Sequence, residues 1–160
     1  MAYSYTDIIC FQFARDCHNA IKGGIKMISP TGNGMRGSDE HGSGLYGASR
    51  GGVKRHQGSD FIAIPGQEVV APCDGDVIRL KYPYAKPVGE VFFSGIFVRH
   101  SNYEYTMYYF EPYKNILRTR IKKGQVIGIA QDIGLKYPGI ISHIHFHFDS
   151  INPVVFMRLP

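Results

Sequence analysis

Between residues 59 and 149 the chain is cut into short apolar runs, each closed by turn residues, and this punctuation leaves few folds open. Asp60–Ile64, Glu68–Ala71, Asp76–Lys81, Gly95–His100, Tyr103–Phe110, Gln125–Ala130 and His143–Asp149 are rich in β-branched and aromatic residues and short for helices. Pro65-Gly66, Asp74-Gly75, Ser101-Asn102 and Lys123-Gly124 separate them with the residues that tight turns need. Such strands, with no helical pattern between them, exclude βαβ units and predict a mainly β fold, an antiparallel sheet or sandwich. The stretch Arg120–Ala130 loosely echoes Gly66–Ile78, as the paired hairpins of small β-rolls do.

Two different regions precede the strands. Residues 6–22 have the pattern of one amphipathic helix: Thr6 as N-cap, Cys10, Phe13, Cys17 and Ala20 on one face, and Gly23-Gly24 as the stop. This helix either packs on the domain or docks another protein. Residues 29–58 form a long turn-dense loop rich in Gly, Ser and charge, and loops of this length are functional or disordered. The expected organisation is an N-terminal helical extension over 1–28 and a single β-domain over 29–160. A chain of 160 residues does not divide into two domains without leaving each half short of core.

Hydrophobic residues make up 44% and charged residues 19%, which excludes a disordered chain. The net charge of +5 favours a partner with an acidic surface. Its cations are scattered apart from Arg118, Arg120, Lys122 and Lys123, and no nucleic-acid motif accompanies them, so a nucleic-acid partner is not expected. No apolar run reaches the length of a membrane span. Met1–Ala20 lacks a basic start and is interrupted by Asp7, Arg15 and Asp16, unlike a signal peptide. On the expected helix Cys10 and Cys17 would be separated by about 10 Å along the axis, too far for a disulfide. These features point to a cytoplasmic, reducing location. A secreted chain whose leader has been removed would look the same at its start.

The segment His143-Ile144-His145-Phe146-His147 carries the chemistry. Strand side chains alternate faces, so three imidazoles share one side and Ile144, Phe146 and Phe148 the other. A lone histidine is usually structural; three on one strand face point to a metal. Upstream, His56 and Asp60 are four residues apart where a loop meets a strand. Two imidazoles and one carboxylate are ligands zinc accepts, and they leave a fourth position for water.

In their order along the chain, KRHQGSDF, VVAPCDGDVI, IKKGQVIG and SHIHFHF resemble the lysostaphin-type, peptidoglycan-cleaving zinc endopeptidases, over about residues 36–150. SDEHGSGLYGASR, RHQGSD and KYPGIISHIH are similar in particular to the chemotaxin-like subgroup of that superfamily, secreted relatives that bind rather than cleave. The resemblance implies the lysostaphin-type fold, with His56, Asp60 and His145 as zinc ligands and His143 as a residue touching the activated water or the oxyanion. The family's second catalytic histidine lies at a strand end in a Tyr-x-His context. Here the strand reads YEYTMYYFEP, which places Phe110 there, or Tyr109 if the register slips by one. Neither supplies an imidazole, and losing a general acid–base group typically lowers a rate about 100- to 10,000-fold. The family's carboxylate after HxH is His147 here, as a supporting group, an extra ligand or a surface residue. The secreted relatives' half-cystine positions hold Ser29, Ser38, Ser43, Ala63, Glu104 and Asp149.

These features converge on a zinc-binding, catalytically inactive module on a metallopeptidase fold, with His143 vestigial or oxyanion-stabilising. It would serve as a binding or structural protein in an intracellular assembly, such as a cytoskeletal one. Tyr103, Tyr105, Tyr108, Tyr109 and Tyr113 would form an aromatic face, part of it core. The alternative is an active zinc endopeptidase acting on peptidoglycan or glycine-rich peptides. A biotinyl or lipoyl carrier, suggested by VVAPCDGDVI and KKGQVIG, fails for want of a carrier lysine at a hairpin tip flanked by Met.

Overall fold

Alternation along the last long strand organises the fold. Ile144, Phe146 and Phe148 are fully buried, while His145 and His147 between them stay partly open. A strand with this pattern lies in a sheet with one face on the core and the other accessible. The computed structural model describes residues 26–149 and 151–157, and the helix expected over 6–22 lies outside the described residues. The elements are β1 (Ser38–Asp39), β2 (Gly42–Ser43), β3 (Ser59–Ile62), β4 (Glu68–Val70), β5 (Gly75–Lys81), β6 (Gly95–His100), β7 (Tyr103–Tyr108), β8 (Phe110–Pro112), β9 (Arg120–Ile121), β10 (Val126–Ala130) and β11 (His143–Phe148). Three short 3-10 helices, at Lys114–Ile116, Ile133–Leu135 and Pro153–Phe156, are the only helical turns among the described residues.

The strands form a six-stranded sheet in the order β3-β11-β7-β6-β5-β9, a three-stranded sheet β4-β10-β8, and the β1-β2 hairpin. Every strand pair is antiparallel. The core joins the inner faces of both sheets: Phe61, Ile96, Val98, Tyr105, Met107 and Phe146 from the larger, Val69, Phe110 and Ile127 from the smaller. Each large side chain buried this way contributes about 1.5–3 kcal/mol, so this layer is what holds the sheets together. Where the described chain begins, Met27 N–H bonds to Phe156 O at 2.9 Å and Ile28 N–H to Pro72 O at 3.0 Å, tying it to the domain.

One expected strand is divided. Tyr103–Phe110 ends at Tyr108, because Tyr109 has φ 73° and turns the chain out of the larger sheet. Phe110 then starts β8 in the smaller sheet, paired with Ala130. Both Tyr109 N–H and Phe110 N–H bond to Ser94 O, at 2.9 and 3.3 Å, and hold this corner. A left-handed tyrosine costs on the order of 1–3 kcal/mol unless its surroundings fix it. The 29–58 loop is more ordered than a bare loop: besides β1 and β2, Met35 bridges Phe61 and Ser49 bridges Arg55.

Candidate metal centre and its cleft

β3 and β11 create the centre by their register. Asp60 and His145 are direct partners across the ladder, and inward-pointing Phe61 and Phe146 force both side chains to the open face. His56 comes from the loop just before β3. The approach of that loop depends on Gly58, where a Cβ would sit 2.5 Å from the His145 ring and 2.7 Å from Phe146 O. Gly44 does the same for the β1-β2 side, since its Cβ would meet Asp60 Cβ at 2.9 Å.

The three side chains close into a triangle. His145 Nδ1 is 3.0 Å from Asp60 Oδ1, His56 Nε2 is 3.2 Å from the same oxygen, and the two ring nitrogens are 3.0 Å apart. Zinc bonds of about 2.0–2.1 Å imply tetrahedral edges of about 3.3–3.4 Å, within a few tenths of these distances. His56 Nδ1–H donates to Leu45 O at 2.9 Å, which leaves the Nε2 lone pair free to ligate a metal. Such a support orients a metal-binding imidazole. The donor set and its spacing therefore fit a zinc ion, and His56, Asp60 and His145 are the group among the described residues able to hold one.

Asp60 is buried and its second oxygen is also engaged. Arg36, itself 2% exposed, approaches Asp60 Oδ2 with Nη2 at 3.2 Å and Nε at 3.3 Å, and Asp39 Oδ2 with Nη1 at 2.6 Å. Burial alone would raise the Asp60 carboxyl. The hydrogen bond from His145 outweighs that and holds it well below the usual carboxylate range. Asp60 thus stays ionised, with Oδ1 directed to the triangle and Oδ2 to Arg36.

His143 lies beside the triangle, its Nε2 3.6 Å from Asp60 Oδ2 and its Nδ1–H donated to Ile141 O at 2.8 Å. Burial lowers its pKa, against the opposing pull of Asp60. A neutral ring bonded in this way presents Nε2 as a proton acceptor to the cleft. Of the two residues the sequence left open, Tyr109 faces His143, ring to ring at 5.3 Å, whereas Phe110 is wholly in the core. The Tyr109 hydroxyl is 3.1 Å from that of Tyr84, and burial pushes its pKa up, so it remains a protonated phenol. His147, one step further along β11, stands outside the triangle in an adjoining groove with Lys81 and Phe97.

The centre opens into a cleft of about 490 Å³ walled by Tyr82, Tyr84, Tyr108, Tyr109 and Tyr137. Of the tyrosines expected to make an aromatic face, Tyr108 and Tyr109 line this cleft, Tyr105 is core, Tyr103 stacks on Phe148, and Tyr113 is exposed and does not line it. Sequence reasoning passed over Arg36, Arg50, Tyr82, Tyr84 and Tyr137. The inclusion of Arg36 and Arg50 in the glycine-rich loop ahead of His56 was the one available signal.

Comparison with known proteins agrees with this geometry. The family model described as Peptidase family M23 matches residues 54–154. The chain is 33% identical to leukocyte cell-derived chemotaxin-2 of Bos taurus over 126 residues, covering 78% of this chain and 80% of that protein. It is 35% identical to myeloid protein 1 of Gallus gallus over 134 residues, 82% of this chain but 38% of that protein. Among solved structures it is similar in fold to Helicobacter pylori Csd3, with a TM-score of 0.58 at 21% identity over 85% of this chain and 34% of that one. Taken with the β3-β11 pair and the preceding loop that bring Asp60, His145 and His56 together, these matches show that the chain belongs to peptidase family M23, the lysostaphin-type family.

Proposed function

We propose that this chain is a zinc-binding recognition module on an M23 fold that does not turn over peptides. The observation that carries this reading is Tyr109. It occupies the wall opposite His143, and a buried phenol with a raised pKa cannot take the place of an imidazole base near neutral pH. Zinc bound by His56, Asp60 and His145 would supply Lewis-acid polarisation of a ligand oxygen. The residues of the chain would orient that ligand: Arg36 by holding Asp60, His143 by accepting a proton or hydrogen bond, and the tyrosine wall by excluding water. The similarity to chemotaxin-2 supports recognition over cleavage. The net charge of +5 supports an acidic protein partner, which we place in a large intracellular assembly.

Peptidase turnover is the second reading, favoured by family membership and by the neutral His143 ring. The test is an assay of the zinc-loaded chain and its His145→Ala variant on pentaglycine and on peptidoglycan. The proposal expects both proteins to match the background rate. Turnover by the wild type that His145→Ala abolishes would establish the second reading instead.

A further inference from the structure

Two guanidinium groups border the cleft, and they differ in how far they are committed. Arg36 is buried and spends its donors on Asp39 and Asp60. Arg50 has a side chain 31% exposed and reaches Asp60 Oδ2 only at 4.0 Å. Its other side-chain bond is from Nη1 to Ser49 O, at 3.4 Å. A guanidinium has five N–H donors, so most of Arg50's have no protein acceptor among the described residues. The backbone pins the residue in place: Arg50 N–H bonds to Lys54 O and Lys54 N–H to Gly51 O, in the hairpin that leads to His56.

The charge balance of the cleft is one-sided. Asp60 is the sole acid among the lining residues, against Arg36, Arg50 and four imidazoles. Its carboxylate is already shared by Arg36, His56 and His145. Loading the centre with a divalent cation adds positive charge and no acceptor. A carboxylate can offer one oxygen to the ion and the other to a guanidinium N–H. The walls beyond it, Tyr84, Tyr108 and Tyr137 with Ile140, suit the apolar or flat body of a ligand rather than a second charge.

We infer that Arg50 is the second anchor of a carboxylate-bearing ligand, which places one oxygen at the open metal position and the other on the Arg50 guanidinium. The inference rests on the zinc-binding reading and names the ligand class for the same site. Two sources offer this chemistry, the C-terminus of a peptide and a sugar acid.

The test is isothermal titration of the zinc-loaded full chain, and of its Arg50→Ala and Arg50→Lys variants, with N-acetyltyrosine, N-acetyltyrosinamide and glucuronate. Zinc content is measured on each protein. The expected result is binding of a free acid about tenfold or more tighter than the amide, a similar loss in Arg50→Ala, and partial recovery in Arg50→Lys. Preference for N-acetyltyrosine over glucuronate assigns a peptide C-terminus, and the reverse preference a sugar acid. Equal binding of acid and amide by the wild type overturns the inference without need of a variant. So does an Arg50→Ala protein that keeps its zinc and its full affinity. A wild-type chain that takes up no zinc overturns the zinc reading and this inference with it.

Discussion

Asp60 and His145 face each other across the β3-β11 ladder, and their side chains meet on the open face with Oδ1 and Nδ1 3.0 Å apart. A register slip of one residue in either strand would send that side chain into the core and Phe61 or Phe146 into the cleft. The buried phenylalanines that stabilise the sheet are therefore also what aligns the centre.

The close packing at Gly58 gives a first prediction. A methyl group there would collide with the His145 ring and the Phe146 carbonyl. Gly58→Ala should destabilise the domain by about 1–3 kcal/mol in urea melts. It should also weaken zinc binding about tenfold or more in a competition titration with a chelator. Gly34→Ala, at a site with nothing within 4 Å of the added carbon, is the control and should leave the affinity unchanged.

Asp39 predicts an acid sensitivity. Burial by itself would raise its carboxyl, but the bond from Arg36 and the backbone N–H groups of Ile141 and His41 hold it below the ordinary value of 3.8. A folded-state value below the unfolded one means that the stability Asp39 contributes is complete above pH 3.8 and is lost as pH falls through the lower folded value. Asp39→Asn should therefore lower the melting temperature at pH 6 and narrow the gap between pH 6 and pH 3. A wild-type gap preserved in the variant would place the acid sensitivity elsewhere.

Cys73 predicts chemical inertness. It is buried in the core, and burial, with the charge of Asp74 beside it, pushes its thiol up to about 12. At pH 8 almost none of it is thiolate, the form that reacts. Iodoacetamide at pH 8 should leave the Cys73 peptide unlabelled in the native protein and label it after denaturation, as read by mass spectrometry. Native labelling at a rate like that of free cysteine would contradict the buried placement.

The legibility of the sequence followed the range of the interactions. His143–Phe148 was readable because period-two alternation is local, and the pairing of His56 with Asp60 because a loop imidazole and a strand carboxylate sit four residues apart. The turn at Tyr109 was not, because a left-handed tyrosine is held by Ser94 and Gln131, distant in sequence and invisible to any window on the strand. Arg36 escaped for the same reason, its partner Asp60 lying 24 positions away. Tyr84 and Tyr137 reach the cleft from segments outside the strands and carry no periodicity. The 29–58 stretch is turn-rich in sequence, but its role in covering Asp60 depends on Gly44 and Arg36, which only the packed structure relates to β3.

The most direct test of the central claim is a zinc titration of the metal-free chain alongside its Asp60→Ala and His145→Ala variants, with folding of each followed by circular dichroism. The account predicts one zinc ion per wild-type chain, displaced by a chelator, and loss of that binding in both variants while the β signal persists. Zinc uptake that survives both substitutions, or a folded wild type that takes up none, would contradict it.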